Sequence, residues 1–171
     1  MSWTLHGETL KEYLSDVFVE TGTCEGGAIY LALEAGFSEI YSIEIDENLY
    51  LAAKEKFKDN PNVHLFHGSS GDLLLDICQK ISSDKKITFW LDGHCGYDES
   101  DQFPLVKELE QIKTLSNNKH IILIDDVRCF GNILPHTKEE IEAIVLSINP
   151  EYKINYINSK YAGGDILAAT V

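Results

Sequence analysis

The sequence lacks the cysteine spacing that a zinc site or a dithiol redox centre requires. Its four cysteines are Cys24, Cys78, Cys95 and Cys129, and no two of them form a CxxC pair. Widely separated cysteines of this kind are typical of proteins that keep their thiols reduced. We therefore expect a cytoplasmic protein.

Positive charge and long apolar runs are also scarce. The chain has 14 lysines and arginines against 28 aspartates and glutamates, which gives a formal net charge of -14. Because such a chain repels a phosphate backbone, we expect no nucleic-acid partner. No stretch approaches the length of a bilayer crossing, and residues 1–16 lack a basic start followed by an apolar run. We therefore expect neither a membrane partner nor a secretory leader.

What the sequence does contain is an alternation of short apolar runs with helical patterns, which predicts an α/β fold. The predicted helices cover residues 8–15, 28–37, 47–57, 68–81, 104–115 and 137–147. The predicted strands cover residues 17–20, 39–45, 63–66, 86–92, 120–126, 153–158 and 165–171. We expect a single domain over residues 1–171, with a Rossmann-like, mostly parallel seven-stranded sheet that ends in an antiparallel hairpin.

A glycine-rich turn, TGTCEGG, joins the first predicted strand to the helix at 28–37. Backbone N–H groups and the helix dipole at such a turn can hold an anionic or polar part of a ligand. Gly22 lets the chain bend, while Gly26 and Gly27 leave room for the ligand and for close packing of helix on strand. Glu44 ends the second predicted strand, where its carboxylate can accept both hydroxyls of a ribose. The alternatives are a simple connection without a ligand and an ordinary strand-end acid.

Acids in this turn favour a cationic ligand over a dinucleotide. The turn does not match G-x-G-x-x-G, because Cys24 stands two positions after Gly22, and Glu20 and Glu25 would repel a pyrophosphate. S-adenosylmethionine carries a sulfonium and an ammonium group, beside which a carboxylate is favourable. Cysteine is small enough to leave room for this ligand if Cys24 keeps a negative φ.

Over about residues 16–130 the sequence resembles the class I S-adenosylmethionine-dependent methyltransferases, whose first motif is an acid-x-Gly-x-Gly-x-Gly turn. Glu20, Gly22 and Gly26 match that motif, Glu44 matches the ribose-binding acid, and residues 68–69 stand where the family often has Gly-Asp against adenine. The resemblance implies a methyltransferase fold with S-adenosylmethionine as its cofactor. The expected cofactor-binding residues are Glu20, Gly22, Thr23, Cys24, Gly26, Gly27, Glu44, Ile45, Ser69, Ser70 and Asp92.

Acids also follow the apolar part of two later strands, Asp92 in WLDGH and Asp125 with Asp126 in IDDVR. At the carboxyl ends of neighbouring parallel strands they can converge on one hard cation, and an all-oxygen ligand set suits Mg²⁺ or Mn²⁺. This pattern resembles the metal-dependent sugar O-methyltransferases of the macrocin type. The resemblance implies Asp92, Asp125 and Asp126 as metal ligands, with His94 and Asp92 as catalytic residues and His94 as the base. The alternatives are helix-capping acids and an ordinary loop histidine.

Together these features predict a methyltransferase that acts, with metal assistance, on a hydroxyl of a small molecule or sugar. Residues 93–103 are the candidate acceptor-facing loop, and a second subunit of a homo-oligomer could complete the pocket. Two other functions fit part of the pattern. An NAD-dependent oxidoreductase would use Glu44 but leave the later acids unexplained, and a non-catalytic adenosyl-binding module would need no metal.

Overall fold

A computed structural model of the protein describes residues 4–93 and 103–171. The strands are β1 (Val17–Thr21), β2 (Glu39–Glu44), β3 (Val63–His67), β4 (Ile87–Leu91), β5 (Ile121–Ile124), β6 (Lys153–Ile157) and β7 (Ile166–Thr170). The helices are α1 (Gly7–Glu12), α2 (Gly27–Ala35), α3 (Glu47–Lys56), α4 (Ser70–Cys78), α5 (Leu105–Lys113) and α6 (Lys138–Ile148), with a short 3₁₀ turn at Val127–Cys129. Among the described residues, no helix combines the length and the hydropathy that a bilayer crossing requires.

The strands form one seven-stranded sheet in the order β3-β2-β1-β4-β5-β7-β6. The pairs from β3 to β5 are parallel, whereas β7 runs antiparallel to both β5 and β6. The predicted fold class is therefore confirmed, including the antiparallel hairpin at the end of the chain.

Helices cover both faces of the sheet, which explains why β1, β4 and β5 are buried along their whole length. One apolar layer joins Val17 and Val19 of β1 to side chains of α4, α5 and α6. The other joins Phe18 of β1 and Trp90 of β4 to side chains of α1, α2 and α3. The carboxyl ends of β1 and β4 lie side by side at the point where the strand order reverses, which is where open α/β sheets bind ligands.

Local signals in the sequence set several element boundaries. The Asp46 side chain accepts a hydrogen bond of 2.9 Å from the Leu49 N–H and so caps α3. Thr137 and Glu140 form a reciprocal capping box at the start of α6. β5 is shorter than the predicted strand at 120–126, because Asp126 takes a left-handed conformation with φ 58° that ends the strand geometry. The acid pair therefore lies in the loop that follows β5.

Candidate functional site

A cleft of about 290 Å³ opens at the carboxyl edge of the sheet, beside the ends of β1, β4 and β5. The predicted site residues that line it are Glu20, Gly22, Thr23, Cys24, Gly27, Asp92, Asp125 and Asp126. The structure thus brings the glycine-rich turn and the three aspartates to one cleft. Of the other predicted residues that the structure describes, Gly26, Glu44, Ile45, Ser69 and Ser70 do not line it.

Two glycines in the β1–α2 turn are required for different reasons. Gly22 has φ +84°, and a Cβ there would lie 2.7 Å from the backbone oxygen of Asp92, so only glycine lets the turn pass the end of β4. Gly26 has φ +76°, and its Cβ would lie 2.5 Å from the ring of Phe57. The space at Gly26 therefore serves packing against that ring, whereas the sequence had suggested room for the ligand as well.

Cys24 adopts a conformation that the sequence did not predict. Its φ is +48°, in the left-handed region, so the condition of a negative φ, under which cysteine was expected to leave room for the ligand, is not met. In this conformation its N–H donates a hydrogen bond of 2.7 Å to Oε2 of Glu44. The turn is thereby attached to the end of β2.

Glu44 is buried, with 6% of its surface exposed, and both of its oxygens accept backbone hydrogen bonds. Oε2 accepts from Cys24, and Oε1 accepts from the Asp46 N–H at 2.9 Å. A carboxylate oxygen can accept a second hydrogen bond, so these contacts orient Glu44 and leave acceptor capacity on each oxygen. Ile45, the next residue, is 70% exposed. Ribose binding by Glu44 stays a prediction.

Ser70 takes part in a buried network that the sequence did not reveal. Its hydroxyl donates a 2.5 Å hydrogen bond to Oε1 of Glu108, a fully buried acid on α5. Burial raises the pKa of Glu108 to about 7, while hydrogen bonds from Ser70 and Thr21 oppose that rise. Thr21 in turn accepts a 3.3 Å hydrogen bond from the Asp92 N–H. Glu108 therefore connects α5 to the start of α4.

Glu20 carries an unsatisfied carboxylate oxygen. The side chain is fully buried, Oε1 accepts a 2.6 Å hydrogen bond from Ser42, and Oε2 has no hydrogen-bond partner in the described part of the chain. Burial raises the pKa of Glu20 to about 8, and the charge on Glu44 adds to that rise. An unpartnered buried carboxylate is costly, and a donor or cation in the adjoining cleft would remove that cost.

The three aspartates form a cluster in which each offers one oxygen, all within 4.8 Å of one another. Asp125 accepts a hydrogen bond from the Thr4 hydroxyl at Oδ2, but its buried Oδ1 has no hydrogen-bond partner among residues 4–93 and 103–171. Burial raises the pKa of Asp125 to about 7, and the charge of Asp126 adds to that rise. Burial, followed by the charge of Asp125, raises the pKa of Asp92 well above its usual range. Asp92 and Asp125 thus resist ionisation unless a cation joins them.

Arg128 supplies the only lysine or arginine side chain among the cleft-lining residues that the structure describes. Its Nη2 lies 2.6 Å from Oδ1 of Asp126, and its Nη1 donates to Oδ2 of Asp165. Sequence reasoning predicted Asp126 but missed Arg128 and Asp165, although Arg128 stands only two positions after Asp126. The guanidinium of Arg128 thus pairs with Asp126 and Asp165, and no other lysine or arginine lines the described cleft beside Glu20, Asp92 and Asp125.

The predicted base, His94, lies outside the described residues, as does most of the candidate acceptor-facing loop. Gly93 and Phe103 are described at its two ends. The role of His94 therefore stays a prediction from the sequence.

Sequence comparison finds neither a protein-family model nor a curated protein that matches this chain. The fold, in contrast, matches many solved structures. An O-methyltransferase from Bacillus cereus in complex with S-adenosylhomocysteine (SAH) superposes with a TM-score of 0.66 at 16% identity, covering 96% of this chain and 78% of that one. TomG from Streptomyces achromogenes, an O-methyltransferase of tomaymycin synthesis in complex with S-adenosylmethionine, gives 0.67 at 12% identity over 96% and 77% of the two chains. The SAH-bound methyltransferase PaMTH1 of Podospora anserina gives 0.64 at 15% identity over 96% and 75%.

The chain has the fold of these methyltransferases. At such low identity the likeness establishes the fold alone, and the activity has to be argued from the cleft.

Proposed function

We propose that this protein is an S-adenosylmethionine-dependent methyltransferase that methylates a hydroxyl group of a small molecule or sugar with the assistance of Mg²⁺ or Mn²⁺. The observation that carries the proposal is a pair of buried, unpartnered carboxylate oxygens, Oε2 of Glu20 and Oδ1 of Asp125, on residues that line one cleft. Two cationic guests, a sulfonium with its ammonium group and a divalent ion, would satisfy both. A dinucleotide would instead bring its diphosphate close to these acids.

The turn and the strand ends would orient the cofactor, which supplies an electrophilic methyl group when bound. Glu20, whose Oε2 is unpartnered, lines the cleft, where its carboxylate would favour the positive end of the ligand. Glu44 keeps one further acceptor position on each oxygen, which suits the two hydroxyls of a ribose. These groups act by position and charge, so no covalent bond to the enzyme is required.

The aspartate cluster fits a hard divalent cation. Three carboxylate oxygens within 4.8 Å of one another would supply three of the six oxygen ligands of such an ion, and these three residues offer no nitrogen or sulfur that would favour zinc. A divalent ion held by Asp92, Asp125 and Asp126 would stabilise negative charge developing on the acceptor oxygen. Asp92 follows β4 and lies beside Gly22. It therefore adjoins both the glycine-rich turn and the aspartate cluster.

Removal of the acceptor proton is assigned to His94, two positions after Asp92, on the basis of the sequence alone. The acceptor, an oligomeric state that completes the pocket and a cytoplasmic location are likewise proposals from the sequence.

Calorimetry with SAH, NAD and MnCl₂, titrated separately into the full chain, tests the function. Binding of SAH and Mn²⁺ without NAD supports it, NAD binding alone supports an oxidoreductase, and SAH binding with no response to Mn²⁺ supports a non-catalytic adenosyl-binding module. Two variants form a matched pair. Glu20→Gln should weaken SAH binding and leave the affinity for Mn²⁺ unchanged, whereas Asp125→Asn should weaken Mn²⁺ binding and leave the affinity for SAH unchanged. Equal effects of both variants on both ligands would contradict the assignment of separate sites.

Once an acceptor is known, His94→Ala should abolish turnover and leave the affinity for SAH unchanged. Normal turnover by this variant would show that another group takes the proton.

A further inference from the structure

The turn between β6 and β7, residues 158–165, places a large aromatic side chain at the cleft. Tyr161 lines the same cleft as Asp125 and Asp126, yet 61% of its surface is exposed. Its hydroxyl makes no hydrogen bond to any described residue. Neither burial in the core nor a polar contact accounts for a tyrosine at this place.

The backbone of this turn is fixed by hydrogen bonds within it. Oγ of Ser159 accepts hydrogen bonds of 3.1 Å from the N–H groups of Tyr161 and Ala162. The same hydroxyl donates a 2.6 Å hydrogen bond to Oδ2 of Asp165, which also accepts from Arg128. Because one hydroxyl joins both sides of the turn, the backbone that carries Tyr161 is constrained.

Two chains of contacts attach the turn to the aspartate cluster. On one side, the Lys160 N–H donates a 3.0 Å hydrogen bond to the backbone oxygen of Thr4, whose hydroxyl donates to Asp125. On the other side, Asp165 and Asp126 share the guanidinium of Arg128. The backbone at Tyr161 is therefore attached to the aspartate cluster on both sides, and its side chain lines the same cleft.

We propose that Tyr161 is the specificity-determining residue for the acceptor, and that its ring packs against the face of a ring-shaped, uncharged acceptor whose hydroxyl reaches the aspartate cluster. The inference rests on the proposed function and adds the class of acceptor. An aromatic face attracts the C–H groups of a sugar ring or the face and edge of another aromatic ring. An anionic acceptor is disfavoured, because the acids that line this cleft outnumber its single arginine.

The test measures binding of two ring compounds to the full chain loaded with SAH and Mn²⁺. Methyl α-D-glucopyranoside represents sugars and catechol represents aromatic acceptors. The compound that binds shows whether the acceptor is a sugar or an aromatic molecule. Tyr161→Ala should weaken binding of that probe about threefold to tenfold, and Tyr161→Phe, which keeps the ring, should stay within about twofold. The affinities for SAH and Mn²⁺ should not change in either variant.

Tyr30→Ala provides a matched control. Tyr30 is a similarly exposed tyrosine, at 48%, but it lies on α2 beside Phe57 and does not line the cleft. This variant should bind the probe as the wild type does. Ser159→Ala removes the hydroxyl that constrains the turn but leaves the tyrosine ring unchanged. Like Tyr161→Ala, it should lower the affinity for the probe.

Failure of the wild type to bind SAH or Mn²⁺ would contradict the proposed function itself. If both bind, the inference about Tyr161 is overturned by any of three results: neither ring compound binds, Tyr161→Ala binds the probe normally, or Tyr30→Ala loses as much affinity as Tyr161→Ala.

Discussion

Replacing Asp125 by asparagine should stabilise the metal-free protein at pH 8 and weaken its affinity for a divalent cation. The carboxylate is buried, lies next to Asp126 and has one oxygen without a partner in the described part of the chain. Asparagine has nearly the same shape and can still accept the hydrogen bond from Thr4 through its side-chain oxygen. Its NH₂ group would replace the unpartnered oxygen and could donate to a neighbouring acid.

The magnitude follows from the pKa of Asp125, which burial raises from 3.8 to about 7. At about 1.4 kcal/mol per pKa unit, the ionised carboxyl costs at most roughly 4 kcal/mol. Relaxation and sharing of the charge with Asp92 and Asp126 reduce this value, so we expect a gain of about 1–2 kcal/mol at pH 8. For a chain of this length that gain corresponds to a rise in Tm of about 2–8 °C.

The sign of the pH dependence is fixed by the direction of the shift. A raised pKa means that the folded protein keeps the Asp125 proton where the unfolded chain has lost it, so the wild type loses stability as pH rises from about 4 to about 7. The asparagine side chain that replaces the carboxyl does not titrate. The advantage of Asp125→Asn should therefore be small at pH 5 and should reach its full size above about pH 7.

Thermal denaturation in EDTA at pH 5 and pH 8 measures the effect, and calorimetry with MnCl₂ measures the loss of metal affinity, expected to be at least about tenfold. Asp165→Asn is the matched control. Asp165 is equally buried but accepts hydrogen bonds from Arg128 and Ser159, so its neutralisation should lower Tm at both pH values. A lower Tm for Asp125→Asn at pH 8, or an equal gain at pH 5 and pH 8, would refute the reasoning.

Three further substitutions test the turn and its support. Glu108→Gln should reduce the fall in Tm between pH 5 and pH 8. Burial raises the pKa of Glu108 to about 7, so the wild type loses stability as this carboxyl ionises with rising pH. An unchanged pH profile of Tm would contradict this. Gly22→Ala should lower the free energy of unfolding in urea by roughly 2 kcal/mol or more, since its Cβ would lie 2.7 Å from the backbone oxygen of Asp92. If this variant were as stable as the wild type, that close approach would be contradicted. Cys24→Gly should raise the free energy of unfolding in urea by about 1 kcal/mol, because glycine adopts the left-handed conformation of this position without strain. A loss of stability would show that the cysteine side chain stabilises the fold by more than the strain costs.

The sequence predicted the strands well because each is a short apolar run bounded by turn residues. The strand predicted at 39–45 is found at Glu39–Glu44, and that predicted at 63–66 is found at Val63–His67. The run HIILIDD was harder to divide, since the backbone of Asp125 still donates a 3.1 Å hydrogen bond to Leu91 although β5 ends at Ile124. Apolar content identified this strand, but the left-handed turn at Asp126 is invisible in composition.

The convergence of the glycine-rich turn with the aspartates was predictable from one rule, that parallel strands present their carboxyl ends at one edge. The contacts that support the site were not predictable from the sequence. Arg128 and Asp165 are 37 positions apart, and Ser70 and Glu108 are 38 apart. Pairings at such separations depend on how helices and loops pack on the sheet, and no local spacing in the sequence encodes them.

The cleft also combines two kinds of unfavourable feature, and their coincidence argues for a ligand. Cys24 and Asp126 are the two residues other than glycine with positive φ in the described part of the chain, and both line this cleft. Unpartnered oxygens of Glu20 and Asp125 belong to the same lining. Acids on an open surface would be hydrated and would cost the fold little, whereas these two are buried and resist ionisation, as their raised pKa values indicate. Strained backbone and unpartnered buried oxygens at one point destabilise the empty fold, and a cationic guest is the partner whose binding would satisfy those oxygens and favour their ionised form.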